Sequence, residues 1–315
     1  MSKNHPKSPF QSQSSTVQSG LDSLLANEIS RRSVANTLWA WRNQKVNAKA
    51  LVFGLLEKFH EISDRQKNIL VDASVIATEE NEQPYHGNEH YVDVTSGTIM
   101  LGNRALQEGR LTIDTFVCMV TAALIHDYKH DGKGNMGEQF RLEQLAFDSA
   151  KSKLKNAGAS DGELEIIEAF VLNTDVSKDF GDPDALSASD TVKLYIDSGF
   201  QNEELLHPRL QILAKKDLAD AAQMLQDSDV GTAMADPAYS DYQGLLIAHE
   251  TGSVDKKSRT YDRSSQLDFF IPKIMHGGKV YSESGRQIIQ EWIPDVIKYQ
   301  QRKLSTNDNK KGMHP

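Results

Sequence analysis

Tyr85-His86-Gly87-Asn88-Glu89-His90-Tyr91-Val92-Asp93-Val94, taken together with Leu124-Ile125-His126-Asp127, decides how this chain is read. On a helix, residues three and four apart are neighbours, so His86, His90 and Asp93 would share one face. His126 and Asp127 follow an apolar run and would close its helix at the edge of a buried pocket. Imidazoles and carboxylates in this arrangement suit zinc together with a harder divalent ion. Four of the ten histidines fall between positions 86 and 130. A lone histidine is usually an ordinary hydrogen-bonded residue; an i,i+4 pair followed by an adjacent His-Asp is a different signal.

Upstream, residues 1–19 are rich in Ser, Gln, Lys and Pro and carry almost no apolar side chains, so they are expected to be a disordered tail. Helical spacing begins at Leu21, Leu24, Leu25 and Ile29. It continues through Val34, Leu38 and Trp41, then Leu51, Val52, Leu55 and Phe59. These segments, over 20–80, are expected to cap the same helical body that 81–304 forms. Downstream, Thr112 or Asp114 would cap the apolar helix that ends at His126, and Ser160-Asp161-Gly162-Glu163 reads as a capping box. The 179–190 stretch reads as a loop. Leu210 to Leu218 are expected to form a buried helix around Asp217, with further helices near 217–226, 239–249, 264–275 and from Ser284 to Arg302. The polar end, 305–315, is expected to be flexible. No alternating strand pattern and no internal repeat is present, so the fold class is all-α, a compact multi-helix bundle forming a single domain.

The net charge of −9 argues against a general nucleic-acid binder. A lone cysteine, Cys118, excludes a disulfide framework and reads as a small buried hydrophobe. No run of about 18 apolar residues marks a membrane span, and the N-terminus lacks a signal-peptide core, so a cytoplasmic protein is expected.

The histidines and aspartates alone would indicate a metal hydrolase of the HD type. Further segments sharpen this. Tyr85-His86 with His90, Asp93 and Val94 resembles the Y-H-N-x-x-H-A-x-D-V motif of class I cyclic nucleotide phosphodiesterases. Ala123-Leu124-Ile125-His126-Asp127, followed by His130, Gly132 and Asn135, is similar to that family's A-x-I-H-D-V-D-H-P-G-x-x-N segment. Leu142-Glu143-Gln144 resembles L-E-N, Val171 to Lys178 resembles V-L-A-T-D-M-S-K, and Asp217-Leu218-Ala219 falls where A-D-L-S is expected. Ser265-Gln266-Leu267-Asp268-Phe269 is similar to S-Q-x-x-F. The six elements follow one another in family order between about residues 85 and 270. Gly87, Tyr91 and Asp220 depart from the family's usual residues, as does the Tyr128-Lys129-His130-Asp131 stretch.

The resemblance implies a fold of the HD/phosphodiesterase type with a binuclear metal site. It implies metal-dependent hydrolysis of 3′,5′-cyclic nucleotides, cAMP or cGMP, to 5′-monophosphates by a metal-bridging hydroxide. His90, His126, Asp127 and Asp217 would hold the tighter ion, zinc, with Asp127 reaching a second, magnesium or manganese. His86 would be the general acid, with Glu143 and Asp175 supporting it or the metal-bound water. Tyr85, Gln266 and Phe269 would contact the nucleotide, the glutamine amide pairing with the base edge and the aromatic ring stacking on it. The implied partner is a small-molecule nucleotide, with neither nucleic acid nor membrane. Two alternatives stand beside this: another HD-type phosphohydrolase, acting on a guanosine polyphosphate, a nucleoside triphosphate or a cyclic dinucleotide, and a non-catalytic nucleotide sensor.

Overall fold

The computed structural model describes residues 9–79, 83–135, 137–178, 185–253, 266–275 and 277–311, with backbone alone at 9–13, 266, 269, 273 and 306–311. Among these residues every regular element is helical. The N-terminal layer is α1 (Pro9–Leu24), α2 (Arg31–Asn43), α3 (Ala48–Lys58) and α4 (Asp64–Ala77). The centre follows with α5 (Asn88–Gln107), α6 (Ile113–Ile125), α7 (Arg141–Asn156), α8 (Asp161–Leu172), α9 (Ala188–Asp197) and α10 (Lys216–Gly231). α11 (Pro237–Glu250), a π-helix at Gln266–Ile274, α12 (Glu283–Ile288) and α13 (Ile293–Lys311) complete the bundle.

α5 and α6 run through the middle, packed against each other, with α10 lying along α5. Both central helices are buried on nearly all sides, as a helix without a polar face must be. Phe116, Val117, Val120 and Leu124 on α6 are each at most 2% exposed, and burying a side chain of this kind contributes about 1.5–3 kcal/mol. Thr112 caps α6 by accepting from the Thr115 amide, and Ser160 with Glu163 forms the expected capping box on α8. The α5–α10 contact is close because Gly97 has no side chain: a Cβ there would overlap Thr232 Oγ1 and meet Ser228 Cβ at 3.0 Å.

The structure departs from the sequence expectations in several places. Of the stretch expected to be a disordered tail, 1–19, residues 1–8 lie outside the described residues, and the rest is helical from Pro9, with Val17 buried. The anchor is tertiary: the Trp41 indole nitrogen donates to the Thr16 carbonyl at 3.1 Å, and its ring lies against Gly20. The single helix expected from Ser284 to Arg302 is two, because Ile289 and Trp292 turn into the core between them and Pro294 restarts the chain in the first turn of α13. α13 itself continues past 304 to Lys311. The helix expected across Leu210 to Leu218 breaks at Ala214 into a 3-10 segment, Pro208–Leu213, and α10. α9 occupies part of the expected loop, whose 179–184 portion lies outside the described residues. No helix among the described residues is long and apolar enough to cross a membrane.

Candidate active site

Three central helices deliver four side chains to one point. His90 sits in the first turn of α5, His126 and Asp127 follow α6 directly, and Asp229 lies in the last turn of α10. His90 Nε2 is 3.1 Å from Asp127 Oδ2 and 3.2 Å from Asp229 Oδ1. His126 Nε2 is 2.9 Å from Asp127 Oδ2, 3.7 Å from Asp229 Oδ1 and 3.2 Å from His90 Nε2. Ligands about 2.0–2.2 Å from a tetrahedral zinc lie about 3.3–3.6 Å from one another, and the five separations that involve His90 or His126 are close to the edges of such a site. The His126 tautomer fits as well: its Nδ1 bonds the Ala123 carbonyl at 2.9 Å, leaving Nε2 as the atom that turns inward.

Electrostatics point the same way. Burial alone would push the His90 ring down, but hydrogen bonds to Asp127 and Asp229 hold it up at about 9, and His126 is raised well above its usual value against the same burial penalty. Burial likewise opposes charge on the two carboxylates, yet the imidazoles hold Asp229 down at about 2 and Asp127 well below its usual range. The pocket is therefore arranged around positive charge. Protons on the two imidazoles can supply it, and a divalent ion would displace them.

Asp217, the residue expected to complete this set, is not there. It occupies the first turn of α10, twelve residues and about 18 Å of helix from Asp229. Asp229 takes its place because the register of α10 against α5 and α6 brings the C-terminal end of α10, not its N-terminal end, to the histidines. Lys215 and Lys216 are exposed at that distant end.

His86 precedes α5 rather than lying within it, one turn before His90. Its position is set by Glu250, at the C-terminal end of α11, which sequence reasoning missed. Glu250 Oε1 is 2.5 Å from His86 Nδ1, while Oε2 accepts from the backbone amides of Tyr85 and His86 at 3.0 and 3.2 Å. Burial opposes the Glu250 charge, but these contacts hold its carboxyl below the ordinary range. The His86 ring stacks on that of His130, 3.6 Å between centroids. His130 Nδ1 accepts from the Gly132 amide at 3.1 Å. His86, Asp127 and His130 together form a second group close enough to share an ion.

The wall beyond Asp127 is built on Asn135. Its amide donates to Glu143 Oε2, Asp175 Oδ1 and Ser177 Oγ at 2.9–3.2 Å, and its carbonyl oxygen accepts from the Leu142 amide. Asp175 also accepts from the Phe140 and Ser177 amides, both at 2.7 Å. Burial, and then the negative charge of Asp175, push the Glu143 carboxyl up to about 8. A cleft of about 380 Å³ runs between this wall and the histidines, lined by Tyr85, His86, Asp127, Glu143, Asp229, Ile247, Phe270 and Ile274 among others. Tyr85 places its ring 4.5 Å from that of His90. Gln266 and Phe269 fall in the π-helix that borders the cleft, but their side chains lie outside the described residues.

No family model and no curated protein matches this sequence. Solved structures do match. The Leishmania PDEB1 phosphodiesterase, solved in complex with IBMX, superposes with a TM-score of 0.61 at 16% identity, over 94% of this chain and 98% of that one. The chain thus has the fold of a phosphodiesterase catalytic domain over nearly its whole length.

Proposed function

We propose that this protein hydrolyses a 3′,5′-cyclic nucleotide, cAMP or cGMP, to the 5′-monophosphate in a metal-dependent reaction. The observation that carries the proposal is that His90 Nε2 and His126 Nε2 lie 2.9–3.7 Å from carboxylate oxygens of both Asp127 and Asp229, beside a histidine held by a carboxylate and within a phosphodiesterase fold. These four side chains would hold zinc, and Asp127 would also reach a second ion, magnesium or manganese. When bound, such ions supply a water activated at neutral pH and withdraw charge from the phosphoryl oxygens.

The chain's own residues account for the rest. Attack of water on phosphorus breaks the bond to the 3′ oxygen, which leaves as a poor, strongly basic group unless it receives a proton. His86 is placed to give it: Glu250 takes up Nδ1, so Nε2 is the atom that hands a proton on. The Asn135–Glu143–Asp175 wall fixes the far side of the cleft. Tyr85, Ile247, Phe270 and Ile274 offer it apolar surface for a base and sugar.

The charge of the cleft separates this reading from other HD-type hydrolases. Its described lining contains Asp127, Glu143, Asp175 and Asp229 but neither lysine nor arginine. A singly charged diester can be accommodated there with two divalent ions. A guanosine polyphosphate or nucleoside triphosphate would bring several further negative charges, for which the described lining offers neither lysine nor arginine. The test is hydrolysis of cAMP and cGMP by purified protein with added magnesium or manganese, alongside Asp127→Ala and His86→Ala. Release of the 5′-monophosphate, abolished by Asp127→Ala and reduced about 10²–10⁴-fold by His86→Ala, is expected. Failure of the metal-loaded protein to turn over either nucleotide overturns the proposal.

A further inference from the structure

The two elements that hold the His86–Glu250 pair are tied together outside the cleft by Asp93 of α5, which accepts from Tyr239 and Gln243 of α11, and by an arginine from a third helix that reaches both. Arg42, on α2, is buried to 9% side-chain exposure. Its guanidinium pairs with Glu89 in the first turn of α5, three residues after His86. The same group stacks on the Tyr242 ring of α11, 3.7 Å from its centroid, and donates to the hydroxyls of Tyr242 and Tyr239. Tyr239 passes the contact on, donating to both carboxylate oxygens of Asp93 at 2.8 Å, and Gln243 donates to Asp93 at 2.6 Å. One guanidinium therefore grips the start of α5 and the first two turns of α11. The last residue of α11 is Glu250.

A helix is stiff over this length, so the axial and rotational setting of α11 at Tyr239, Tyr242 and Gln243 determines where Glu250 lies, about two turns further on. His86 sits just before α5, and its setting follows the first turn that Glu89 anchors. Arginine suits this task because its planar fork can stack and donate at once, which lysine cannot do. We propose that Arg42 is a positioning residue for proton donation. By locking α11 to α5 it holds Glu250 against His86, so that the N-terminal helix layer controls the general acid without touching substrate. This inference rests on the phosphodiester hydrolysis proposed above and on His86 as proton donor.

The test compares two substrates that differ in their need for a proton. Departure of a nucleoside 3′ oxygen requires one; departure of p-nitrophenolate from bis(p-nitrophenyl) phosphate does not. With metal-loaded protein, Arg42→Gln should lower kcat on cAMP or cGMP about 10- to 100-fold, a share of the full general-acid effect, with KM little changed. The rate on bis(p-nitrophenyl) phosphate should stay within about twofold. Glu250→Gln should reproduce this pattern, and the double variant should be no worse than Glu250→Gln alone. Arg42→Lys keeps the charge, and should recover part of the loss. Equal losses on both substrates, or no loss on either, overturn the proposal. An arm independent of turnover is the proton NMR signal of the His86 Nδ1–H bonded to Glu250, which should be lost or shifted in Arg42→Gln and kept in the wild type. If wild type cleaves bis(p-nitrophenyl) phosphate but no cyclic nucleotide, the substrate reading has failed, and the NMR signal still decides whether Arg42 sets the pair. An unchanged signal in Arg42→Gln rejects the positioning role.

Discussion

Replacing Asp229 with alanine and, separately, Asp217 with alanine distinguishes the two ends of α10. Asp229 Oδ1 lies 3.2 Å from His90 Nε2, so its removal takes away one of four converging groups. Even a residue that only orients a metal ligand is worth about 10–100-fold in metal affinity, and a direct ligand should reach at least the upper figure. At free zinc about 100 times Kd the ion would stabilise the wild type by about 2.7 kcal/mol; a site weakened 100-fold would retain about 0.4 kcal/mol at the same concentration. Asp217, about 18 Å along the helix, should cost only its interaction with the N-terminus of α10, about 0.3–1 kcal/mol, with zinc content unchanged. The assay is zinc stoichiometry after dialysis, with melting curves recorded with and without chelator. Asp229→Ala should lose both the bound zinc and the chelator-sensitive part of its stability, and Asp217→Ala should keep both. A zinc-loaded Asp229→Ala, or a zinc-free Asp217→Ala, would refute the placement of α10 described here.

Gly97→Ala should force α5 and α10 apart, since the added methyl overlaps Thr232 Oγ1 and crowds Ser228. A loss of about 1–3 kcal/mol is expected, read as a lower urea midpoint at unchanged slope; an unmoved midpoint would mean that the contact is looser than drawn. Glu163 tests the capping box through pH. Burial opposes its charge, but the fork of Arg65 and the amide and hydroxyl of Ser160 hold its carboxyl down at about 2. A depressed carboxyl contributes stability that is present above the unfolded value, 4.5, and is lost as pH falls through about 2. Discounted for the exposure of Arg65, Glu163→Gln should cost about 1 kcal/mol at pH 7, and the difference from wild type should close as the pH approaches about 2. A pH-independent difference would remove the charge from the explanation.

The parts of the site that could be seen in the sequence share a physical property: their geometry is local. His90, three residues before Asp93, and the dipeptide His126-Asp127 are placed by a single turn of helix and by the end of an apolar run, so their spacing carries their arrangement. The Ser160–Glu163 box and the Thr112 cap are local in the same sense. Asp229 was missed because α10 carries acids at 217, 220, 227 and 229, and nothing in their spacing says which end of the helix meets α5. Glu250 lies 164 residues from His86, and Arg42 is 200 residues from Tyr242. No periodicity links such positions. The helix over 9–19 was not legible for a related reason: its composition is polar, and the Trp41 contact that anchors it comes from another helix.

By itself the sequence determined that the chain reads as all-helical, that the run ending at His126 is an apolar helix, and that imidazoles and carboxylates cluster at 86–93 and at 126–127, because helical period and apolar patterning act over a few residues. Only the tertiary structure decided which aspartate faces His90 and His126, which glutamate bonds His86 and which arginine touches both of their helices. Those choices depend on how rigid helices dock, and docking is set by the summed packing of whole faces, such as Gly97 against Thr232, rather than by any short run of residues.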